Sequence, residues 1–169
     1  CYTGIRISDI LTLKWKHITD EKISIRMRKT EKLLSIPIND YVRAVLDRRR
    51  CAVENNGGKI TSEKYVFNIL KVDVDEVSAQ DALNAISSAT AVINKQLKKI
   101  AKKTGIDKNL STHCARHSYA TALLTNNIPL PVIKEMLGHS DIKVTQIYAK
   151  VVDSKRNEVV ECLNKVYHG

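Results

Sequence analysis

Residues 111–124 read STHCARHSYATALL and place His113, Arg116 and His117 within five positions. Read as the start of a helix, this segment puts His113 and Arg116, three apart, on one face close to the N-terminus. Backbone N–H groups and the helix dipole favour an anion there. A guanidinium can bond two oxygens of one phosphate, and an imidazole can donate to a third or move a proton near neutral pH. The natural use of the pair is a phosphate cradle, and the competing reading is a surface capping arrangement. His113 and His117 at i and i+4, with Cys114 between them, could also chelate zinc. Against that, Arg116 brings a fixed positive charge, and the segment holds no carboxylate.

A second cluster, LGHSDIKVTQIYAK (137–150), has Gly138 closing a helical pattern, His139 directly after it and Tyr148 nine residues on. Either residue alone is compatible with packing. One helical hairpin separates them from His113 and Arg116, which makes a shared site the stronger reading.

Such a site needs elements to hold it. The chain has 169 residues, 43% of them hydrophobic, enough for one domain with a core. Near the start, TGIRISDILTLKW (3–15) carries Ile7, Ile10, Leu11 and Leu13 at helical spacing. Residues 22–29 alternate like a strand, 33–38 read as its return with Pro37 at an edge, and KTEK (29–32) reads as the turn. Asn39 is placed to cap a helix with Val42, Val45, Leu46 and Val53 on its stripe, ending at NNGGK. Residues 64–70 suit a short strand or the start of a helix. From Ser78 to Lys103 the positions Ala82, Leu83, Ile86, Ala89, Ile93, Leu97 and Ile100 predict a long amphipathic helix, with one break allowed, that Gly105 stops. Further helices are expected at 113–126, 131–137, 145–150 and 153–167. The expected fold class is mainly α with a small antiparallel β-hairpin near the N-terminal end (α+β).

Twenty-eight Lys and Arg against eighteen Asp and Glu give a formal charge of +10, which favours a polyanion, nucleic acid ahead of an anionic membrane surface. The basic runs RMRK (26–29), RRR (48–50) and KKIAKK (98–103) are interleaved with other residues, as on a folded face. No apolar run approaches the roughly 18 residues of a membrane span, and no signal peptide pattern is present. The four cysteines form no CxxC pair, which suits a reduced cytosolic protein. The chain begins at Cys1, without Met, within what reads as a turn, so a longer protein cut on its N-terminal side is expected.

HCARHSYATALL followed by LGHSDIKVTQIYAK resembles the C-terminal signature of tyrosine recombinases, the phage and transposon integrase family: His-x-x-Arg-His, then Leu-Gly-His, then Tyr nine residues later. YTGIRISDILTLKW is similar to the family's first box, with Arg6 at its arginine position and Asp9 at its acidic position, where Glu is commoner. KTEKLLSIP is similar to the hairpin carrying the family's lysine, which falls on Lys29. Four boxes in the right order span residues 1–169 as one catalytic domain, without the core-binding domain that usually precedes it.

The resemblance implies the tyrosine recombinase catalytic-domain fold and a metal-independent transesterification, with no cofactor. Tyr148 would be the nucleophile, although an unperturbed phenol has a pKa of about 10. Arg6 and Arg116 would clamp the non-bridging oxygens, Lys29 would protonate the departing 5′ oxygen, His113 would act as acid or base, and His139 would donate to the phosphate. Asp9 would support the site by orienting Arg6 or His113. His117 is expected to be a buried structural histidine and Tyr119 a core residue. The implied partners are double-stranded DNA, further copies of the chain in a tetramer through the C-terminal tail with Leu163 and Val166 at the contact, and accessory DNA-bending proteins. The implied setting is a mobile element in a bacterial cytoplasm, at the nucleoid. A type IB topoisomerase, a resolvase-like relative, or a basic DNA-binding module with a decayed site are the alternatives.

Overall fold

A computed structural model describes residues 2–138. His139, Tyr148, Leu163, Val166 and the helices expected at 145–150 and 153–167 lie outside the described residues. The elements are α1 (Ile7–Leu11), a 3₁₀ turn (Trp15–His17), β1 (Lys22–Arg26), β2 (Leu33–Pro37), α2 (Asp40–Asn55), α3 (Ala79–Lys103), α4 (Thr112–Thr125) and α5 (Leu130–Leu137). Among the described residues the architecture is mainly helical with one two-stranded antiparallel sheet, as the hydrophobic patterning predicts.

The strands form because their apolar residues recur every second position and so fall on one face. Ile23 stands opposite Ile36 and Ile25 opposite Leu34, and all four are buried. With Ile5, Leu13, Trp15, Met27, Val42, Leu46 and Val66 they make the first core cluster. The strand expected over 22–29 stops at Arg26, because Met27 begins the turn by accepting from Glu31 N–H at 2.8 Å.

α2 starts where expected, with Asn39 Oδ1 accepting from Val42 N–H at 3.0 Å. α3 runs unbroken, capped by the Ser78 hydroxyl, and packs Ala82 and Ile86 on Leu11, Leu70 and Val74. Leu83 is exposed, one position and therefore about 100° round the helix from Ala82. Ile100 is also exposed. Ala120 and Leu124 of α4 and Ile133 and Leu137 of α5 form a third cluster. No described helix is long and apolar enough to cross a membrane. Cys51 and Cys114 are free thiols.

The helix expected over 3–15 is confined to Ile7–Leu11, because Leu13 and Lys14 leave its path to meet another segment. Lys14 bridges to Tyr65, and Val66 N–H donates to Leu13 O at 2.8 Å. Residues 64–70 are therefore an extended contact followed by turns, neither a full strand nor a helix.

Lys14 is buried in the middle of this join. Its Nζ donates to Asp73 Oδ2 at 2.9 Å and Asp75 Oδ2 at 2.7 Å, and the Tyr65 hydroxyl donates to Asp73 Oδ1 at 2.7 Å. Burial raises the Asp73 carboxyl, but hydrogen bonds from Asp75 N–H, Lys14 and Tyr65 outweigh it and hold the pKa at about 2. Burial and the same Asp73 contact push the Tyr65 phenol up to about 12.

The folded-state pKa of Asp73 lies below that of the unfolded chain, so its contribution is complete above about pH 4. That contribution is lost as pH falls through about 2. Urea unfolding midpoints should fall over this window in the native sequence, and fall less in Asp73→Asn.

Candidate active site

Arg6 is the N-cap residue of α1, and Asp9 sits in the helix's first turn. Asp9 is 3% exposed and its Oδ1 accepts from Arg28 N–H at 3.0 Å. The carboxyl therefore holds the backbone of the β1–β2 turn one residue before Lys29. Among the described residues Asp9 makes no hydrogen bond to Arg6 or His113, the residues it is expected to orient. Oδ2 is buried and has no hydrogen-bond partner among the described residues. Burial raises the Asp9 pKa, and the Arg28 N–H and the charges of Arg6, Arg116 and Arg28 only partly oppose it.

The turn itself is closed by Met27 N–H donating to Lys32 O at 2.9 Å and by Arg26 Nη1 donating to Glu31 O at 2.8 Å. Glu31 takes a left-handed φ of 55°. Lys29 is exposed on this turn.

Arg116 comes from α4 and reaches across two other segments. Nη1 donates to Gly4 O and Nη2 to Leu137 O, each at 2.5 Å. One guanidinium thus ties the chain just ahead of Arg6 to the end of α5, two residues before His139. Gly4 makes the approach possible: at φ +64° a Cβ there would stand 2.5 Å from Tyr119 Cδ1. Tyr119 is half-buried in the α4–α5 cluster, which agrees with its reading as a core residue, and burial raises its phenol pKa.

His113 lies in the first turn of α4 and is exposed. His117 is exposed as well, contrary to the expectation of a buried structural histidine. α4 buries Ala120 and Leu124 against α5, and His117 falls on its outer side, in a shallow depression with Cys114, Ser118 and Thr121. Among the described residues no three His, Cys, Asp or Glu side chains cluster as metal ligands.

The structure therefore brings together Arg6, Asp9, Arg116 and the turn bearing Lys29. Three contributors escape a reading of the sequence: Met27, Gly4 and the Lys14 cluster. A lysine within the apolar run LTLKW is a visible signal that a partner must exist. Nothing in the sequence points to residues 59 and 61 positions away.

Residues 1–155 match the phage integrase family. The chain belongs to that family. This member is 48% identical over 160 residues to the tyrosine recombinase XerD of Listeria monocytogenes, covering 93% of this chain and 49% of that protein. It is 30% identical over 163 residues to the tyrosine recombinase XerA of Saccharolobus solfataricus, covering 96% and 47%. The chain thus spans about half the length of these relatives.

Among solved structures, a XerA recombinase superposes with a TM-score of 0.66 at 23% identity, covering 93% of this chain and 54% of that one. The catalytic domain of bacteriophage HP1 integrase superposes at 0.54 with 25% identity, covering 95% and 75%. The fold of this integrase-family chain is that of tyrosine recombinase catalytic domains.

Proposed function

We propose that this chain, over residues 1–169, is the catalytic domain of a site-specific DNA recombinase that cuts and rejoins duplex DNA through a 3′-phosphotyrosyl intermediate. The observation that carries the reading is a set of hydrogen bonds that joins these parts: the buried Asp9 holds Arg28 N–H beside Lys29, and Arg116 bonds Gly4 O two residues before Arg6. Two arginines supply charge that no working pH removes, matching the non-bridging oxygens of a scissile phosphate.

The phenol oxygen of Tyr148 attacks phosphorus, and the bond from phosphorus to the 5′ oxygen breaks. His113 accepts the phenolic proton, and Lys29 gives one to the leaving oxygen. His139 donates to a phosphate oxygen. The product is a 3′-phosphotyrosine and a free 5′ hydroxyl, which stores the bond for rejoining to a new strand. The reaction needs no metal and no nucleotide. Lys29 stands on an exposed turn, and the buried Asp9 contact fixes the base of that turn.

Duplex DNA is the substrate, in agreement with the +10 charge. Among structural neighbours, a XerH recombinase bound to a palindromic difH substrate in a post-cleavage complex covers 94% of this chain at a TM-score of 0.66. The biological setting we propose is integration or excision of a mobile element by copies acting together on DNA.

The test is covalent capture on a nicked duplex in EDTA, read on a denaturing gel, with the full-length protein on its own site alongside. The native sequence forms a protein–DNA band, and Tyr148→Phe forms none while its DNA affinity stays unchanged. A band that survives Tyr148→Phe, or no band from the full-length protein, refutes the reading.

A further inference from the structure

Met27 lies where the parts of the site meet, and its side chain makes contacts of a kind ordinary core filler does not need. It is 1% exposed, one residue past the end of β1. Its sulfur accepts from Arg6 Nη1 at 3.4 Å and lies 3.9 Å from the Thr30 hydroxyl, next to Lys29. On its far side it presses on Gly138, where a Cβ would overlap both Sδ and Cε. Gly138 closes α5 at φ +62° and immediately precedes His139. Methionine has three rotatable bonds and usually adapts to its surroundings. Here the turn, Arg6 and the Gly138 backbone leave its thioether little room.

The chemistry of the acceptor matters. A carboxylate facing Arg6 would take two of its N–H groups and cancel its charge. Asp9 is buried nearby but makes its hydrogen bond to Arg28 N–H instead. A thioether is a weak, uncharged acceptor. It can fix the plane of the guanidinium through one N–H while leaving the positive charge intact for an anion.

We propose that Met27 is a positioning residue for Arg6, its sulfur setting the guanidinium's orientation against the lysine turn and the α5 terminus. The inference rests on the recombinase reading above, in which Arg6 clamps the scissile phosphate. Two substitutions separate the sulfur's role from packing. Met27→Leu keeps volume and apolarity but removes the acceptor. Met27→Gln restores a near-isosteric acceptor at the cost of burying an amide.

Single-turnover covalent capture and urea unfolding are measured on both, in the full-length protein. Met27→Leu should unfold near the native midpoint and bind DNA with unchanged affinity, yet capture about tenfold more slowly, the weight of one hydrogen bond to a charged group. Met27→Gln should be the less stable of the two and the faster. Opposite orders of stability and rate support the proposal, since a purely structural role would move them together. A stably folded Met27→Leu that captures at the native rate overturns it, whether or not Met27→Gln folds. If the native protein itself captures no DNA, the recombinase reading fails, and this inference with it.

Discussion

Arg116→Lys is expected to reduce strand cleavage by about 10²–10³-fold, the usual loss when a preorganised donor to a transition-state oxygen is removed. It should also lower stability by about 1–3 kcal/mol, because a buried carbonyl loses its partner. The geometry explains why a conservative change of charge fails. Nη1 and Nη2 of one planar fork bond Gly4 O and Leu137 O, which belong to segments at opposite ends of the described chain. A lysine presents one nitrogen on a flexible stem and cannot span both carbonyls from the same place. Single-turnover capture and thermal melts of the same preparation measure both effects. A variant that keeps native stability and cleavage would show that the fork does not hold these segments together.

Gly4→Ala is expected to be the more damaging change to the fold, although it removes nothing. A left-handed φ costs a side chain about 1–2 kcal/mol. The added methyl would meet the Tyr119 ring at 2.5 Å and Leu137 Cδ2 at 2.9 Å. Overpacking of this kind costs about 1–3 kcal/mol, so the sum is about 2–5 kcal/mol. For a domain of this size, that lowers Tm by about 5–15 °C.

Gly105 supplies the control, since it has nearly the same φ, +68°, and a methyl added there would meet no atom of the described residues within 4 Å. Gly105→Ala carries only the conformational cost. A Tm for Gly4→Ala equal to that of Gly105→Ala would show that the Tyr119 contact yields freely. Capture should slow in Gly4→Ala as well, because Gly4 O anchors Arg116 and Gly4 lies two residues before Arg6.

Residue periodicity makes the helices and the hairpin legible because each buries one face. Ile23, Ile25, Leu34 and Ile36 alternate, and Ala82, Ile86, Ala89 and Ile93 recur at helical spacing. The cap Asn39 is legible for the same local reason, as it acts on an N–H three residues ahead.

What local pattern cannot show is where long-range contacts override it. Leu13 and Lys14 continue a helical stripe in sequence, yet they leave α1 to pair with residues 64–66 and to meet Asp73 and Asp75. His117 follows the same rule in reverse. Its type and its place beside Arg116 suggest burial, but the packing of α4 on α5 decides which side faces outward. For the candidate site, resemblance to a family locates Arg6, Asp9, Lys29 and Arg116. The contacts holding them, Met27 on Arg6 and the carbonyls of Gly4 and Leu137 on Arg116, join residues 21 to 112 positions apart.

The most direct test of a tyrosine nucleophile is to map the covalent adduct. DNA trapped on the protein in EDTA is digested with nuclease and trypsin, and the modified peptide is sequenced by mass spectrometry. The predicted result is a 3′-linked nucleotide phosphate on Tyr148 within the peptide spanning residues 144–150, with a 5′ hydroxyl on the released strand. Attachment at Tyr119 or Tyr167, or linkage through a 5′ phosphate, would contradict the account.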